Sequence, residues 1–102
     1  MTTLELRPEV LAFAMLMEQR LREKDAERGQ SWKNMTGKDL LTPAISKLFR
    51  IEKAIFYPDI HVQDIGRNAV DLGNYCMMIA DVAGTLAPNA GVTGAELAKR
   101  PR

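Results

Sequence analysis

The stretch VQDIGRNAVDLGNYCMMIADVA, residues 62–83, carries the most regular pattern in the chain. Ile65, Ala69, Leu72, Cys76, Ile79 and Ala83 follow one another at intervals of 4, 3, 4, 3 and 4. This is the period of an apolar seam on an α-helix, expected where one helix lies lengthwise along others in a bundle. Val70, Met77 and Met78 widen the apolar surface beyond one stripe. A lone three-helix unit would leave part of it bare, so the excess on this helix is expected to be covered by a second subunit. Gly66 and Gly73 each cost about 1 kcal/mol relative to alanine inside a helix, which implies close helix contact in return. Gly84 is the expected stop.

Working outward, the segment before it reads as a helix over residues 43–56. Thr42 stands as N-cap, Pro43 suits the first helical position, and Ala44, Ile45, Leu48, Ile51 and Ile55 form the apolar face. Pro58 would end it. Thr36 three residues before Asp39 is a competing capping signature, but Pro43 would interrupt a helix begun there, so only a short turn is expected over 37–41. The first helix is expected over residues 8–28, with Pro8 and Glu9 in its first turn and Gly29 as its stop. Val10, Phe13 or Ala14, Met17 and Leu21 recur at helical spacing, and the charges crowd the last two turns, so its C-terminal end is expected to leave the core. The connection GQSWKNMTGK, residues 29–38, holds the only tryptophan, as either a lid or an anchor. Beyond Gly84, residues 85–102 contain Pro88, Gly91, Gly94 and Pro101 and are expected to form a mobile tail, with at most one helical turn over 95–99. The fold expected is therefore all-α, a three-helix domain over residues 1–84 followed by a tail.

Composition narrows the function. The chain has 102 residues, enough for one small domain, and its 46% hydrophobic and 26% charged content suits a globular one. No apolar run approaches the length of about 18 to 20 residues that a membrane span needs. Lys and Arg number 14 against 13 Asp and Glu, a net of +1, which disfavours DNA or RNA binding by bulk charge. Any binding surface must be local. Cys76 is the single cysteine, so no internal disulfide forms, and MTTLELRPEV lacks the features of a signal peptide. A cytoplasmic location is the expectation. Six methionines against six aromatic residues suggest a helical core filled by flexible side chains.

The stretches LRPEVLAFAMLMEQRLREKD, SWKNMTGKDLLT, IEKAI and NAVDLGNYCMMIADVAG, taken in order over about residues 6–84, resemble the MazG-like all-α nucleoside triphosphate pyrophosphohydrolases, small phage-borne members in particular. Those enzymes carry Glu-Glu-x-x-Glu on one helix and Glu-x-x-Asp on the next. The two sets of carboxylates face each other and enclose Mg²⁺ ions that grip the triphosphate and activate water. Matched without gaps, the first motif falls on Ser46, Lys47 and Arg50 and the second on Asn68 and Asp71. Only Asp71 keeps its carboxylate. The resemblance thus implies the family's helical fold without its chemistry: a pseudoenzyme with no catalytic residues, no bound metal and no cofactor, which the apolar excess of the third helix leads one to expect as a homodimer.

Loss of catalysis leaves room for a ligand. Lys47 and Arg50 share a helical face, and Arg67 precedes Asn68, so fixed cations would meet phosphate charge directly where the enzymes use a metal. Trp32 would stack on a base and Lys33 would meet a phosphate. Each has a plainer alternative. Arg50 would pair with Asp71 in a structural salt bridge with Lys47 solvated, Trp32 would staple its loop to the bundle, and Asp71, Asn74 and Tyr75 would form an interior polar network rather than orient a ligand. His61, without further ligands at metal spacing, reads as a helix-start residue, and Cys76 on the seam as a buried, inert thiol. Three functions stay open: a protein holding a nucleotide or signalling nucleotide without hydrolysis, an inhibitor of a host bacterial defence system such as a CRISPR effector, and a residual pyrophosphohydrolase. A basic cluster opening into a cleft favours the first, and closed ion pairing of those cations favours the second.

Overall fold

Pro8 at the first helical position and Glu9 beside it open α1, Pro8–Arg28, and Gly29 closes it. Gly29 adopts φ 53°, a region glycine enters without steric cost, and its N–H reaches the Asp25 carbonyl at 3.0 Å. A single 3₁₀ turn, Ser31–Asn34, leads to α2, Gly37–Phe56, and the last helix among the described residues is α3, Asp64–Val82. The computed structural model describes residues 4–57 and 64–86, and among these there is no strand. The expected stop at Pro58, the role of His61, the first residues of the third helix and the turn over 95–99 lie outside the described residues.

The start of α2 differs from the sequence expectation. It begins at Gly37, because Thr36 and Asp39 close a reciprocal capping box: Asp39 N–H donates to Thr36 Oγ1 and Thr36 N–H donates to Asp39 Oδ2, both at 3.1 Å. Pro43 therefore sits inside the helix and not at its start. It withdraws the one hydrogen bond that would reach the Asp39 carbonyl. The extra turn before the proline is retained because Leu40 within it is fully buried, the largest such side chain among the described residues.

α3 is the central element. It packs along much of α2 and more briefly against α1, while α1 and α2 scarcely meet. At Gly73 α1 comes close, since a Cβ there would lie 2.8 Å from Phe13 Cε2. Gly66 has open space around it, so no close contact explains that glycine. A Schellman motif ends the helix, with Gly84 at φ 74° donating to Asp81 and Thr85 N–H donating to Ala80.

The buried face of α3 is not the seam read from its spacing. Asn68, Val70, Asp71, Asn74 and Met78 are buried, whereas Ile65, Ala69, Leu72 and Ile79 are half-buried and Cys76 and Ala83 are exposed. Two neighbours on different sides of α3 leave a crease between them, and the crease holds the polar stripe. The Cys76 thiol is accordingly accessible, contrary to the expectation of a buried one. α1 is also reversed: Met17, Arg20, Leu21 and Lys24 in its C-terminal half are half-buried, while Val10, Leu11, Met15 and Leu16 are about half exposed or more. The run VLAFAMLM, residues 10–17, is apolar on every side and gives α1 no single inward face. Of α2's expected apolar face, Ala44 is buried and Ile51 half-buried, but Ile45, Leu48 and Ile55 face outward. All fourteen exposed large apolar side chains among the described residues lie in 4–16 and 41–57, none on α3.

Candidate functional site

The middle of the polar stripe of α3 carries an ion-pair triad. Asp71 Oδ1 accepts from Arg20 Nε of α1 at 2.9 Å, and Asp71 Oδ2 lies 3.1 Å from Lys47 Nζ of α2. All three helices meet at this carboxylate. Arg50 does not pair with Asp71, because Lys47, three residues earlier and one turn nearer the crease, takes that place. Burial pushes the Asp71 carboxyl up, but hydrogen bonds from Arg20 and Lys47 outweigh it, so it titrates below its ordinary value. Hydrogen bonds to Asp71 and to Glu23 hold the Arg20 guanidinium more firmly charged in turn.

Two cavities open on either side of the triad and share Arg20, Lys47 and Asp71 in their walls. The first, about 410 Å³, brings Trp32, Met35, Leu40, Pro43, Tyr75 and Met78 together with Lys24 and Arg28. The second, about 480 Å³, adds Arg50 and Lys53 from α2 and Asp64, Arg67 and Asn68 from α3. Its walls hold five cations, Arg20, Lys47, Arg50, Lys53 and Arg67, against Asp64 and Asp71. For a chain whose net charge is only +1, this is a concentrated positive field. Arg50, Lys53 and Arg67 form no ion pair among the described residues. Asn68 is turned to its own helix, its Nδ2 donating to the Asp64 carbonyl at 2.9 Å. Asn74 Nδ2 donates to the Met17 carbonyl on α1 at 3.1 Å, and its buried Oδ1 has no hydrogen-bond partner among the described residues.

Of the residues singled out from sequence, Lys47, Arg50, Arg67, Asn68 and Asp71 come together around the second cavity and Trp32 stands at the first. Lys33 lines neither. Its ammonium lies 4.7 Å over the Trp32 ring and 3.1 Å from Asp81 Oδ2, so it covers one face of the indole and ties the 3₁₀ turn to α3. A base could reach only the other face. Arg20, Lys24 and Arg28 escaped the sequence reading. Their spacing of four residues places them on one side of α1, a signal present in the sequence but read there as solvated charge.

The residues present do not fit the divalent ion of the resembling enzymes. Asp71 is the one carboxylate at the five motif positions, and each of its oxygens is already engaged by a cation. Among the described residues no group of three or more His, Cys, Asp or Glu side chains converges. Among the described residues no helix is long and apolar enough to cross a membrane. No protein-family model, curated protein or solved structure matches the chain, so any functional reading stands on this geometry and on the motif positions themselves.

Proposed function

We propose that this chain is a MazG-like pseudoenzyme that holds a nucleotide or signalling nucleotide in the cleft between α2 and α3, through its phosphates and without a metal. The observation that carries this reading is the second cavity, with five cations against two carboxylates and three of those cations in no ion pair among the described residues. Guanidinium and ammonium groups bond phosphate oxygens directly and supply the charge that a metal otherwise provides. The adjoining apolar cavity, with Trp32 and Tyr75 in its wall, is of a size to accept a base. Hydrolysis is not part of the proposal, since among the described residues no cluster of three or more ligating side chains converges to hold the metal that would activate water.

The outward apolar faces support a second element, a homodimer. Leu41, Ile45, Leu48 and Ile55 follow a heptad-like spacing along the outside of α2, interrupted by Glu52, and Phe49 and Phe56 flank them. In this proposal the contact lies on α2 and the apolar half of α1 and not on α3, where the sequence spacing alone had put it. A protein partner such as a component of a bacterial defence system is the second reading, favoured by the same exposed surface.

Native mass spectrometry of protein purified from its source tests these elements together. A dimer carrying a bound phosphate-containing mass that survives EDTA supports the proposal. A ligand-free chain bound to a foreign protein favours the second reading.

A further inference from the structure

We propose that Asp71 is a built-in counter-anion that competes with the ligand's phosphates for Arg20 and Lys47, so that it limits affinity at the cleft instead of supporting it. This inference rests on the metal-free phosphate reading. Both oxygens of the buried carboxylate are occupied, at 2.9 Å by Arg20 and at 3.1 Å by Lys47, and all three side chains line both cavities. A phosphate entering either cavity meets two cations whose charge is already shared, together with a like charge that cannot move away. Asp71 is 9% accessible at its side chain, and Arg20 and Lys47 are 18% and 20% accessible. Paired with them, this carboxylate offsets the cost of holding those two cations partly out of water.

The division of labour follows from position. Among the described residues Arg50, Lys53 and Arg67 form no ion pair and so are open to a first phosphate, whereas a longer phosphate chain must draw Lys47 from Asp71 to gain more. Asp71 therefore selects for ligands carrying enough negative charge to take Lys47 over. A single phosphate leaves the triad intact. A chain of phosphates opens it.

Calorimetry of the full chain with tripolyphosphate in EDTA tests this. Asp71→Asn is expected to bind about tenfold tighter or more, the scale of one like charge removed and one charge-assisted bond gained. An affinity equal to or weaker than the wild type overturns the inference. Should Asp71→Asn fail to fold, Lys47→Met decides the matter. Because only a chain of phosphates draws Lys47 from Asp71, the substitution should cost tripolyphosphate more affinity than it costs inorganic phosphate. An equal loss for both refutes the competition. Absence of tripolyphosphate binding in the wild type and in Asp71→Asn alike refutes the phosphate reading itself.

Discussion

Arg50→Glu isolates the cleft's charge from its architecture. Arg50 is exposed on α2, lines the second cavity and forms no ion pair among the described residues, so its loss leaves no buried partner behind. Stability should change by no more than about 0.5 kcal/mol, as for other surface substitutions. Binding should change far more. A charge-assisted hydrogen bond to phosphate contributes about 1.5 to 3 kcal/mol, and a carboxylate placed about 4 Å from a phosphate adds a repulsion of about 1 kcal/mol in water, more in a partly enclosed cleft. The two effects together amount to about 3 kcal/mol or more, a loss of roughly a hundredfold in Kd. Calorimetry with a nucleoside triphosphate in EDTA reads this directly, with circular dichroism as the control for folding. The wild-type affinity should also fall with salt, and the slope should be shallower in the variant because one cation fewer is screened. An Arg50→Glu protein that is folded and binds within about threefold of wild type would show that the cation cluster is not the phosphate site.

Other expectations follow from the same geometry. Thr36→Ala removes the side-chain acceptor of the capping box and should cost about 1 kcal/mol in urea unfolding, whereas a cost near zero would mean that α2 starts later. Asp39, through its bonds to Thr36, and Asp71, through Arg20 and Lys47 against its burial, both titrate below the ordinary 3.8. The stability they contribute is present above about pH 4 and is lost as pH falls through their lower folded values. Unfolding midpoints that stay level from pH 5 to pH 2 would contradict this. Leu48→Asp should weaken self-association in sedimentation velocity more than Ile79→Asp does, because Leu48 is 54% exposed on the outer stripe of α2 and Ile79 is half-buried on α3. The reverse order would return the subunit contact to α3.

The helices were readable from sequence where a single signal governed each end. Pro8 and Gly29 bound α1 as expected, and Gly84 closes α3 with a positive φ. At α2 two signals conflicted, and the capping box prevailed over Pro43 because a proline near a helix start sacrifices one hydrogen bond, while Leu40 in the preceding turn is fully buried. The inner face of α3 was misread for a different reason. Apolar spacing identifies a face that wants cover but not which element covers it, and here Asn68, Asp71 and Asn74 take the crease because they find bonds to Asp64, Arg20, Lys47 and Met17. Those partners lie as far as 57 positions away in sequence, beyond the reach of local periodicity. The same limit hid Arg20, which joins the site only once α1 packs on α3.

Metal dependence of binding separates a cationic cleft from a residual metal enzyme. Titration of a nucleoside triphosphate into the protein, once in EDTA and once in Mg²⁺, with pyrophosphate measured at the end of each run, should give the same affinity in both and no pyrophosphate in either. Binding that requires Mg²⁺ and yields pyrophosphate, with both lost in Asp71→Asn, would contradict it.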